Sequence, residues 1–77
     1  MKLIVQRVEG TVLDFTKVGR PFFIDLAIDN RHISRELQDI VIERLARPHL
    51  IVQDEILGFK PDSTMPNVGW KILQITA

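Results

Sequence analysis

The chain has 77 residues, 45% of them hydrophobic, and its ten basic and ten acidic side chains balance to zero net charge. That length holds one domain and buries only about 60% of the unfolded surface, so the core is modest and self-association would extend it. Without cysteine there are no disulfides, Cys-ligated zinc sites or thiol nucleophiles. With no cationic excess, the usual signature of a nucleic-acid-binding domain is missing, although a local basic patch stays open.

The opening Met1-Lys2-Leu3-Ile4-Val5 meets Gln6 and Arg7 too soon for a signal-peptide core. No apolar run approaches the roughly 18 residues that span a bilayer, so a cytoplasmic protein with no membrane partner is expected. Residues 2–8 are rich in β-branched side chains and read as a strand. Glu9-Gly10 is then either a tight turn or a bulge. The bulge is preferred, because the resumed β character of residues 11–15 follows too closely for a hairpin. The first reversal is placed at residues 16–21, which contain Gly19 and Pro21. Residues 22–29 alternate cleanly: Phe22, Ile24, Leu26 and Ile28 point inward, Phe23, Asp25, Ala27 and Asp29 outward.

Residues 33–46 read as the one amphipathic helix. Ile33, Leu37, Ile40, Val41 and Leu45 share an arc, with Arg35, Glu36, Asp39, Glu43 and Arg47 opposite. Ser34 is the expected N-cap, with Asn30 the competitor. Glu36 in the first turn suits the helix dipole, and Pro48 sets the end near Ala46. Arg44 breaks the apolar arc and is expected to snorkel past the helix end or to pair with Asp54 or Glu55. Beyond the helix, residues 49–53 and 56–59 are strand-like around Asp54-Glu55. Residues 60–69 form a long irregular loop, and residues 70–76 form a last strand.

The expected architecture is a single α+β domain in β-β-α-β-β order. An antiparallel or mixed sheet of about four strands carries one helix on one face, as in a β-grasp-like fold or a small partly open barrel. In length and opening pattern the chain resembles ubiquitin-like β-grasp proteins, in topology alone. That resemblance implies a last strand lying beside the first and parallel to it. Gln74-Ile75-Thr76-Ala77 is not the Gly-Gly tail through which carriers of that family are conjugated, and no function is carried over.

Asp14, Asp25 and Asp29 are the one carboxylate set that a divalent cation could use, but outward strand positions carry charge without any such role. His32 and His49 lie near opposite ends of the helix, which argues against a shared metal or a dyad. Ser34 and Ser63 have no nucleophile signature. No catalytic residue, metal or cofactor is implied, and the protein is not read as an enzyme. The candidate partner-binding residues are in the long loop and on the second strand. Asp62, Ser63, Thr64 and Asn67 offer hydrogen bonds and Met65 an apolar contact, while Phe23 faces outward beside Arg20. Trp70 is read as a core anchor rather than an interface hot spot. The expectation is a small protein–protein interaction module, such as a bacterial or phage-encoded regulator or inhibitor, that forms a homo-oligomer, at its simplest a dimer. The alternative is a single-stranded nucleic-acid binder using Phe23, Arg20 and Lys17.

Overall fold

Strand β1 (Lys2–Gly10) is the spine of the sheet. In the computed structural model, which describes residues 1–27, 32–47, 51–60 and 65–76, this strand is paired along both edges. One edge takes β2 (Phe15–Lys17) and then β3 (Phe22–Asp25), two successive lengths of one returning segment. The other edge takes β5 (Asn67–Thr76) from Gly10 to Lys2, and β4 (Ile56–Leu57) lies outermost beyond β5. Helix α1 (Arg35–Leu45) packs on one face, so the fold is α+β with a five-stranded sheet.

The core follows from the two periodicities. Leu3, Val5, Ile24, Leu57, Trp70 and Ile72 face one side of the sheet, and Ile33, Leu37 and Val41 close it from above. Trp70 is buried within this cluster, as its core-anchor reading required. Full burial of Leu37 contributes about 1.5–3 kcal/mol. The helix bounds match the sequence expectation closely. Ser34 is the N-cap, its Oγ accepting from the Leu37 N–H at 3.4 Å, and Ala46 is the C-cap. Arg44 does pair: its Nη2 lies 3.2 Å from Glu55 Oε1 and 3.1 Å from Oε2.

Several local expectations are corrected. The first reversal is not at residues 16–21 but at Thr11-Val12-Leu13-Asp14, and Glu9-Gly10 is the end of β1 rather than a bulge. The Thr11 N–H donates to the Asp14 carbonyl at 2.9 Å, and the Asp14 N–H donates back to the Thr11 carbonyl at 3.2 Å. Gly10 enters this turn at φ 135°, where a Cβ would sit 2.8 Å from Phe15 Cα, so glycine is required by both angle and space. Residues 18–21 instead form a bend within the return strand, held by Gln6 Nε2 donating to the Gly19 carbonyl at 2.8 Å. β3 stops at Asp25, whose Oδ1 accepts from the Ala27 N–H at 2.9 Å and turns the chain.

After the helix, residues 51–53 are not strand, because Asp54 takes a left-handed φ of 68° and redirects the backbone there. The sheet is rejoined when Asp54 N–H donates to the Ile72 carbonyl (3.1 Å) and Ile72 N–H to the Glu55 carbonyl (2.8 Å). The first and last strands pair antiparallel, not parallel as the β-grasp resemblance implied. The reason is topological: β4 runs toward the same sheet end as β1, so the reversal after it sends β5 back against β1. The expectations placed on Ile28, Asp29, Asn30, Arg31, Pro48, His49, Asp62, Ser63, Thr64 and the Leu45 side chain lie outside the described residues. Among the described residues no helix is long and apolar enough to cross a membrane.

Candidate binding surfaces

One end of the sheet is apolar and exposed. Gly10 pairs with both Phe15 and Asn67, so the Thr11–Asp14 turn and the entry to β5 lie at the same end. Leu13 is 97% exposed there, with Val12 beside it, and Met65, two residues before β5, is 73% exposed. Asn67 ties these pieces together. Its Nδ2 donates to the Gly10 carbonyl and its Oδ1 accepts from the Lys60 N–H, both at 3.2 Å. Asn67 is therefore the first residue of β5 rather than a loop residue, with both ends of its amide engaged inside the chain.

The sheet face away from α1 has a different character. Strand alternation puts Lys2, Ile4, Gln6 and Val8 of β1 on this side, with Phe15 and Lys17 of β2 and Phe23 and Asp25 of β3. From β5 come Gly69 and Lys71. Val8 is fully buried despite lying outside the helix-side core. It lies opposite Gly69, over which Phe59 curls, and the Phe15 and Phe59 rings meet edge to face at 6.2 Å. Away from that cover the described residues leave Phe23 49% exposed, with Lys2 Nζ 5.7 Å from its ring centroid. At the cover itself, Lys71 Nζ stands 5.6 Å from the centroid of Phe15.

A third feature is a groove of about 330 Å³ between the start of α1 and the sheet. Phe22, Ile33, Leu37 and Trp70 line it, with Arg7 and His32 as its main polar members. Those polar groups already have partners: Arg7 pairs with Glu9 at 3.2 Å, and His32 Nε2 lies 3.2 Å from the Phe23 carbonyl.

The sequence-derived candidates thus separate. Met65 and Asn67 lie at the apolar end, and Phe23 lies on the face away from α1 about 20 Å away at roughly 3.3 Å per strand residue. Arg20 is exposed in the bend between β2 and β3, close in sequence to Phe23, whose carbonyl His32 reaches. Asp14 and Asp25 flank opposite ends of β1, so they share no site. Sequence reasoning missed Val12 and Leu13, whose β-like character hid a turn bracketed by Gly10 and Asp14. Comparison with protein families, curated proteins and solved structures finds no match to this chain.

Proposed function

We propose that this chain is a non-enzymatic protein-binding module that engages its partner through the sheet end carrying Val12, Leu13 and Met65. The observation that carries this reading is Leu13, almost wholly in water on a turn fixed by reciprocal backbone hydrogen bonds. An apolar side chain gains about 25 cal/mol per Å² when a partner covers it, and because the turn backbone is already fixed, only the side chain remains to be ordered. A partner with an apolar pocket fits this end, and a second copy of the chain is the simplest such partner.

The test is a photo-crosslinking side chain placed at position 13, with position 43 on the exposed helix face as the comparison. Crosslinks to protein, including a second copy, should form at 13 and be lost on Met65→Asp substitution. Equal crosslinking at 13 and 43 would remove the apolar end as the contact surface. Sedimentation of the wild type and of Leu13→Asp separates the partners, since a self-associating chain should lose mass only in the variant.

A further inference from the structure

The zero net charge of the chain conceals an uneven distribution. Lys2, Lys17 and Lys71 share the sheet face away from α1, where Asp25 is the one carboxylate carried by the paired strands. The Arg7–Glu9 and Arg44–Glu55 ion pairs involve none of these three lysines. Two of the three stand over aromatic rings, Lys2 over Phe23 and Lys71 over Phe15. Each couple therefore presents a cation beside a ring, and Phe23 keeps about half its surface in water.

We propose that this face is a contact surface for single-stranded nucleic acid. Phosphates take the ammonium groups, and unstacked bases lie on the rings, with Phe23 as the principal platform. An acidic peptide would use the lysines and leave the rings idle, so the pairing of cation with ring favours the nucleic acid. The two couples are separated by about 20 Å along β1, within the reach of a short site of several nucleotides. Phe23, the principal platform, lies about 20 Å along β1 from the apolar sheet end, so Leu13→Asp should leave the contribution of Phe23 and Lys2 intact.

Fluorescence anisotropy with labelled oligo-dT and oligo-U of about 10 nucleotides tests this directly, beginning near 20 mM salt. Three neutralised phosphates on a single strand give a log–log salt slope of about −2, so a tenfold rise in salt should weaken binding about 100-fold. Phe23→Ala should cost about tenfold, and the triple variant K2Q/K17Q/K71Q should bind no oligonucleotide while keeping the wild-type circular dichroism. Three results would overturn the proposal. They are no binding at low salt, the same affinity in the wild type and these variants, and oligo-glutamate competing as well as an oligonucleotide of equal charge. The last would assign the face to an acidic protein segment.

Discussion

On one side of the sheet, Ile33, Leu37 and Val41 cover a continuous floor of Leu3, Val5, Ile24, Trp70 and Ile72. On the other, the aromatic cover is local, with Phe59 lying over Gly69 and meeting Phe15, and the rest of the face carries lysines and an exposed Phe23. A helix of eleven residues shields one face of a sheet this size and no more. The second face is left to a single glycine-permitted contact and to charge. The comparison teaches where a small domain keeps its stability and where it has surface left for recognition.

The largest break in that asymmetry should come from Leu37→Ala, which hollows the helix-covered side. We expect a loss of about 2–5 kcal/mol in urea unfolding; a loss no larger than that of an exposed substitution would mean the helix is not the main cover. Arg44→Glu comes next, setting two carboxylates against each other at the edge of the same core. The pair is 29% and 26% exposed, so the cost is expected at about 1–3 kcal/mol, below that of breaking a fully buried pair. Sedimentation should give the wild-type mass for this variant, and an altered mass would turn the helix end into an interface.

Gly69→Ala probes the opposite side. A methyl there would sit 2.7 Å from the Leu57 carbonyl oxygen and would collide with the Phe59 ring. The expected destabilisation is about 1–2 kcal/mol, with altered near-ultraviolet signals from the aromatic rings. The smallest effect on stability should be that of Leu13→Asp, within about 0.5 kcal/mol of wild type, because its side chain touches almost nothing. A large loss there would show that the turn is part of the core rather than a surface kept for a partner.

Legibility in the sequence followed the range of the interactions. The helix was readable because its cap, arc and stop lie within a few residues of one another, from Ser34 to Ala46. The alternation of Phe22, Phe23, Ile24 and Asp25 was equally local, and the Arg44–Glu55 pair followed from one charge standing in an apolar arc. The hairpin turn was hidden because Val12 and Leu13 are good strand residues. What turns them is the hydrogen bonding between Thr11 and Asp14, including Thr11 Oγ1 accepting from the Asp14 N–H at 3.2 Å. The direction of β5 was hidden too, since it depends on a short β4 whose pairing is set by Asp54 and Glu55 reaching Ile72. The basic face was least visible of all. Lys2, Lys17 and Lys71 are far apart in the chain, and only the register of three strands gathers them.

The pairing of Lys2 with Thr76 also has a consequence for biosynthesis. A chain emerging from the ribosome can close β1 against β2 and β3 early, but the opposite edge of β1 waits for β5. Until then a nine-residue strand offers unmatched backbone groups, an invitation to any other extended segment nearby. Contacts this distant along the chain also slow folding. Nascent chains halted short of β5 should therefore be the form most in need of a chaperone.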